Sequence, residues 1–169
     1  SSLPSTNDLA KKLAANNAKE WTSVLASKQT KGKGRKKNVW HSPKGGMYLS
    51  IILYPKTAES LQLLTFAASL SVLNAIKKEY GLTPSIKWPN DLLLDGKKIC
   101  GILTETLFGD KICSIVGIGL NLNQTGFKGE LQNTATSLFI ESKQKKEAKQ
   151  FAQQIIKNLT SLNHLVENF

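Results

Sequence analysis

The stretch KWPNDLLLDGKKICGILTETLFGDKICSIVGIGLNLN, residues 87–123, decides the fold. Its apolar runs at Leu92 to Leu94, Lys98 to Leu107 and Ile112 to Asn123 are separated only by Asp95-Gly96 and Gly109-Asp110. Connections that short cannot carry the chain across a sheet, so these runs predict an antiparallel meander that starts at Ser85 to Trp88. A two-residue turn at Gly109-Asp110 would set Cys113 opposite Thr106 and Cys100 opposite Gly119, so the two cysteines should not face each other. Neither cysteine has metal-ligand or CxxC spacing, and both are expected as reduced, partly buried thiols.

Upstream, Met47 to Leu53 reads as a further strand, and Glu59 to Tyr80 repeats Leu63, Phe66, Leu70, Leu73 and Ile76 at helical intervals before Gly81. Thr22 to Gln29 reads as one strand. Ser5-Thr6-Asn7-Asp8 opens a short helix running to about Asn16, with Ser5 and Asp8 at capping-box-like spacing. Downstream, Phe151, Ile155, Leu159 and Leu162 predict a closing amphipathic helix. No repeat or linker interrupts the chain. One domain over 1–169 is expected, of α+β class, with a mixed, largely antiparallel sheet and helices packed on one face.

The 169 residues carry 23 basic against 12 acidic side chains, a net charge of +11. No apolar run nears the roughly 20 residues of a membrane span, and a soluble, cytoplasmic protein is expected. Such a charge suggests a nucleic-acid partner, but 22 of the 23 cations are Lys and only Arg35 is Arg. Base-edge readers rely on the bidentate fork of Arg, so a lysine-rich surface around an anionic small-molecule site is the preferred reading. His41 and His164 stand alone and read as surface or packing residues.

From Trp21 through Ala58 there is no acidic residue, and Lys28 to Lys37 within that window is too polar for a core and too glycine-rich for a helix. It predicts an exposed loop, in which Gly32-Lys33-Gly34-Arg35 brings backbone N–H groups and cations to one place, as an anion requires. A solvated basic loop is the plain alternative, and neither a P-loop nor a GxGxxG fingerprint is present. Trp88-Pro89-Asn90-Asp91 reads as a rigid turn carrying two polar side chains, or as a structural turn only. Lys98, if it faces inward, demands an anion, and Gly101 permits close approach. Gly117 and Gly119 repeat that theme, although packing against a neighbouring segment explains them nearly as well.

Taken in order, Ser5-Thr6-Asn7, Gln29 to Arg35 followed by Trp40-His41-Ser42-Pro43, Lys87 to Asp91, Lys98 to Glu105 and Gly117 to Asn121 resemble the catalytic domain of biotin protein ligases. The matches span about two-thirds of the chain, and Lys-Trp-Pro-Asn-Asp with the basic Gly loop is the specific part. The resemblance implies the class II synthetase-like fold of biotin and lipoate ligases in its short form. Neither the N-terminal winged-helix DNA-binding domain nor the C-terminal small barrel of other members is expected. It implies activation of biotin by ATP to biotinyl-5'-AMP, with Mg²⁺ accompanying ATP. Transfer to a lysine of the biotin carboxyl carrier protein of acetyl-CoA carboxylase would follow. A homodimer is left open.

By the same resemblance, Ser5, Thr6, Asn7 and Gln29 line the biotin urea, helped by Gly32, Lys33, Gly34, Arg35, Lys98 and Gly101. Lys33, Arg35, Trp40, Asn90, Lys98 and Asn121 serve ATP and the adenylate. Lys98, Arg35 and Asp91 are the catalytic set, Asp91 orienting the acceptor amine or serving a Mg²⁺ or turn role. No residue is assigned to a resident metal. Many relatives carry Arg at position 33, Gly at 37 and Arg at 38, where this chain has Lys33, Lys37 and Asn38. Lys keeps charge without the bidentate fork, so weaker retention of the adenylate is expected. The rivals are a lipoate or octanoate ligase or transferase of the same fold, whose Arg-x-Ser-Gly-Gly-Gly segment is missing here, and a basic nucleic-acid-binding module built on Lys28 to Lys44.

Overall fold

The computed structural model describes residues 2–166. Strand β1 (Ser2–Leu3) leads into α1 (Thr6–Ala15), where the Ser5 hydroxyl caps the helix by accepting from the Asp8 amide. Next come β2 (Ser23–Ala26), β3 (Lys28–Gln29), β4 (Met47–Leu53) and the long helix α2 (Ala58–Tyr80). The meander is β5 (Ser85–Lys87), β6 (Asp91–Leu94), β7 (Lys97–Leu107) and β8 (Cys113–Leu120). Two short helices, α3 (Leu131–Thr134) and α4 (Leu138–Ser142), precede α5 (Ala148–Val166).

Six strands form one antiparallel sheet in the order β2-β4-β8-β7-β6-β5, while β1 and β3 pair in parallel beside it. The expected Thr22 to Gln29 strand is therefore two: Val24 and its neighbours pair with β4, and after Ser27 the chain turns away to meet β1. Asp95 and Gly96 both have positive φ, 46° and 76°, and close the β6–β7 hairpin as the sequence predicts. The β7–β8 register differs from expectation. Leu107 faces Cys113 and Leu120 faces Cys100, because the hairpin loop holds five residues, Phe108 to Ile112, rather than two. Cys100 and Cys113 are separate and free; Cys100 is fully buried, and Cys113 is buried with 6% of its surface exposed.

The sheet has two unlike faces. Met47, Leu49, Ile51 and Leu53 of β4 point into the main core beneath α2 and α5, with Val116, Ile118 and Leu120 beside them. Ile52 and Ile115 point the other way, where α1 covers one end through Ala10, Leu9 and Leu13. The two long helices thus share one face as expected, and short α1 lies on the opposite one. Among the described residues, that second face carries no other helix of comparable length.

On α2 the buried stripe is rotated from the predicted one. Leu63 and Phe66 are 37% and 40% exposed, whereas Leu64, Ala68, Val72, Ala75 and Ile76 are buried. Alanine and serine line the contact and let the helix sit close to the sheet and α5. The buried Ser71 hydroxyl is satisfied by donating to the Ala67 carbonyl one turn back. On α5, Phe151, Ile155 and Leu159 are buried as their spacing predicts. The side chain of His164 lies outside the described residues. His41 is exposed.

Two outcomes follow from this packing. Ile76→Ala should lower the unfolding free energy in urea by about 2–5 kcal/mol, and Leu63→Ala by less than about 1 kcal/mol. Burial pushes the Cys100 thiol well above its ordinary pKa despite nearby Lys98, and raises that of Cys113 as well. Little thiolate is then available, so an aromatic disulfide reagent should modify neither cysteine in the native protein and both after denaturation.

Candidate functional site

The helix-poor face of the sheet is kept open by a β-bulge and a lane of glycines. Along β6–β7, Leu92 pairs with Cys100 and Leu93 with Lys98, leaving Ile99 as the extra residue. Ile99 and Cys100 both enter the core. This irregularity lets Lys98 and Gly101, three residues apart, face the same side. The carbonyls beside it are satisfied: Ile99 O accepts from Asn121 N, which extends the β7–β8 ladder, and Lys98 O accepts from Thr136 N and Asn121 Nδ2.

Gly101 and Gly119 pair across β7 and β8, and the Trp40 indole lies over both; a methyl at Gly119 would overlap it. A methyl at Gly117 would likewise overlap the Asn7 amide. Here glycine serves close approach, and side chains from elsewhere occupy the space its Cβ leaves. The result is a cavity of about 250 Å³ above the sheet. Its size suits a small molecule rather than a duplex.

One end of the cavity is polar and uncharged. Gln29 Oε1 accepts from both the backbone N–H (2.7 Å) and the hydroxyl (3.0 Å) of Thr6. Gln29 Nε2 donates to Ser42 Oγ, which donates to the Trp40 carbonyl. Buried Ser50, on β4, lies 2.5 Å from Asn7 Oδ1 and 2.8 Å from Thr6 Oγ1. Asn7 Nδ2 donates to Glu105. Ser5, Thr6 and Asn7 are all buried, so the first turn of α1 presents a fixed set of donors and acceptors.

The other end is charged. Lys98 Nζ sits 2.8 Å from Asp91 Oδ2 and 5.2 Å from the centre of the Trp40 ring. Asn90 Nδ2 donates to Asp91 Oδ1, and Arg35 Nη1 donates to Asn90 Oδ1 at 3.0 Å. Lys33 reaches Asp8 at 2.5 Å. Arg35, Lys33 and Lys98 therefore arrive at one cavity from a loop and from the sheet, and among the described lining residues Asp91 is the one carboxylate.

The basic loop is pinned at its base by an isolated bridge between Lys33 and Val39 and by Trp40 N donating to Gly32 O. Its tip, Arg35–Lys37, makes a 3₁₀ turn in which the left-handed conformation falls on Lys36 (φ 53°) and Lys37 (φ 63°), not on Gly34 (φ −117°). Position 37 is where relatives were expected to carry glycine. The backbone geometry supplies a physical reason for that residue there.

Of the residues singled out from sequence, Ser5, Thr6, Asn7 and Gln29 line the cavity at one end. Lys33, Gly34, Arg35, Trp40, Asn90, Asp91, Lys98 and Gly101 line the rest. Gly32 and Asn121 do not. Gly32 packs beneath Trp40 and Ser42, and Asn121 is buried with its amide committed to Lys98, Thr136 and Gln124. Tyr48 and Leu103 line the cavity without having been singled out, and Ser50 behind it was missed. An even-numbered position on β4 was the one available signal for Ser50. Among the described residues no group of three or more His, Cys, Asp or Glu is placed to hold a metal ion, and no helix is long and apolar enough to cross a membrane.

Residues 1–123 match the Biotin/lipoate A/B protein ligase family. The bifunctional ligase/repressor BirA of Bacillus subtilis is 46% identical over 142 residues, covering 80% of this chain and 44% of that protein. The biotin–[acetyl-CoA-carboxylase] ligase of Paracoccus denitrificans is 36% identical over 126 residues, 72% of this chain and 52% of that one. The chain spans about half the length of these curated relatives. A solved biotin protein ligase from Aquifex aeolicus in complex with biotin and ATP shares the fold with a TM-score of 0.87 and 34% identity, over 99% of this chain and 69% of its own. With the family matched over well more than half the sequence and the fold shared end to end, the chain belongs to the biotin/lipoate A/B protein ligase family.

Proposed function

We propose that this chain carries the catalytic domain of a biotin protein ligase. In the first half-reaction a biotin carboxylate oxygen attacks the α-phosphorus of ATP, and the bond to pyrophosphate breaks to leave biotinyl-5'-AMP. In the second, a lysine ε-amine of a biotin carboxyl carrier protein attacks the activated carbonyl, and AMP departs. The observation that carries the reading is one cavity with an uncharged, hydrogen-bonding end against Ser5, Thr6, Asn7 and Gln29 and a cationic end at Lys33, Arg35 and Lys98.

A cyclic urea needs convergent donors and acceptors, and the first end supplies them. An apolar dithiolane would leave those buried groups unpaired at a cost of about 1–3 kcal/mol each, which favours biotin over lipoate. At the second end two anions must meet. Lys98 bridges the carboxylate and the α-phosphate, while Lys33 and Arg35 hold the phosphate side of the adenylate and help order the loop over it. Trp40 borders the nucleotide, Asn90 orients Arg35 and Asp91, Gly34 gives the loop its close approach to the ligand, and Gly101 seats the Trp40 indole and the Lys98 stem. Gly32 holds the loop base. Asn121 contributes through the Lys98 carbonyl it binds, by fixing the bulge.

Asp91 is paired with Lys98 in the resting site, and an incoming phosphate competes for that ammonium. Once released, the Asp91 carboxylate can accept from the acceptor amine. Mg²⁺ would fit this donor set as MgATP, since among the described lining residues Asp91 is the one carboxylate and the triphosphate would supply oxygen ligands. The ion neutralises phosphate charge when bound.

Incubating the chain with biotin, MgATP and a purified carrier domain should add one biotinyl mass to the carrier. No addition, or addition with lipoate instead, would overturn the reading. Lys98→Ala should lower adenylate formation on the order of 100- to 1,000-fold while leaving the thermal melt near wild type. Retained activity in that variant would remove Lys98 from the chemistry.

A further inference from the structure

We propose that Glu105 on β7, which does not itself line the cavity, is a positioning residue that dictates which end of the Asn7 amide faces the ligand. The inference rests on the ligase reading and adds a specificity determinant to it. Asn7 has two N–H hydrogens, and both are committed to acceptors on β7. One goes to Glu105 Oε2 at 2.8 Å and the other points to the Leu103 carbonyl at 3.4 Å. An ionised carboxylate only accepts, so it admits the NH₂ end of the amide and repels the oxygen end. A flipped Asn7 would set its oxygen against two acceptors, Glu105 and Leu103 O, and its NH₂ against Ser50.

Three further contacts make that choice rigid. Lys11 holds the second Glu105 oxygen at 2.5 Å, so the carboxylate is fixed from the far side. Ser50 lies 2.5 Å from Asn7 Oδ1 and fills one of its two lone pairs. Gly117 lies directly beneath the amide, with no room for a methyl between them. Asn7 lines the cavity, and the spare capacity it retains is a single oxygen lone pair.

The same accounting at Gln29 gives the opposite polarity. Its oxygen takes both hydrogens offered by Thr6, and its Nε2 donates to Ser42, leaving one N–H uncommitted among the described residues. The slot therefore presents one open acceptor, Asn7 Oδ1, and one open donor, Gln29 Nε2. A cyclic urea, with N–H beside C=O, matches that pair. Glu105 writes the acceptor half of the code from beside α1, on the cavity's own face of the sheet but outside its lining.

The test is calorimetric binding of biotin, without ATP, to the whole chain and to Glu105→Ala and Glu105→Gln, with steady-state kinetics alongside. A biotin analogue methylated on its ureido nitrogens serves as the second ligand. Glu105→Ala should weaken biotin about tenfold, the loss of roughly one buried hydrogen bond. Its KM for ATP and its kcat at saturating biotin should stay within about twofold. Glu105→Gln, whose Oε1 still accepts from Asn7, should stay within about threefold of wild type. The methylated analogue should lose less than about threefold in Glu105→Ala, because the bond in question is not made.

Biotin binding by Glu105→Ala equal to wild type would overturn the inference. So would an equal tenfold loss for the analogue, which would make Glu105 merely an anchor for α1. If Glu105→Ala does not fold, Glu105→Met carries the same expectations with side-chain volume kept. A wild-type chain that fails to bind biotin retires the ligase reading and this inference with it; binding in wild type with no change in the variant retires the inference alone.

Discussion

Two successive residues of β7, Ile99 and Cys100, both enter the apolar layer, and the site depends on that departure from strict alternation. In a regular strand, residues three apart lie on opposite faces. Lys98 would then sit across the sheet from Gly101, either in the core or away from the glycine lane. The bulge brings the ammonium and the open backbone to one side. The Lys98 carbonyl beside it is not left dry: Thr136 N and Asn121 Nδ2 bind it at 3.0 and 3.3 Å. An unpaired buried carbonyl costs about 1–3 kcal/mol, so those two contacts decide whether the bulge or a regular ladder is preferred.

The division of the sheet follows from the same economy of packing. One face is sealed by α2 and α5 and supplies most of the stabilising burial. The other is released from that task, and so can carry Ser50, three glycines and a lysine where side chains of a core would otherwise stand. Short α1 covers only one end of it, and its N-terminal turn is what meets the cavity. Glycine in β7 and β8 weakens the strands locally, and the indole of Trp40 and the amide of Asn7 occupy the space gained.

Much of this was legible in the chain. The meander, the Asp95-Gly96 turn, the β4 strand and both long helices follow from periodicity and turn chemistry, and the residues that meet in the cavity follow from resemblance. The bulge was not legible, since counting by twos from Lys98 places Gly101 on the wrong face, and only the tertiary partners of Lys98 O select the irregular form. The stripe of α2 was misread because large apolar residues were counted, whereas Ala67, Ala68 and Ser71 make the contact. The parallel β1–β3 pair is two residues long and has no pattern to find. Ser50 and Glu105 matter through hydrogen bonds to residues 43 and 98 positions away, which no local window contains.

The consecutive left-handed residues Lys36 and Lys37 set the mechanical character of the cationic arm. Each side chain there costs about 1 kcal/mol relative to glycine in the same basin. The arm therefore rests in a shallow well. The arm keeps that shape against the cost through the Lys33–Val39 bridge and the bond from Trp40 N to Gly32 O at its base.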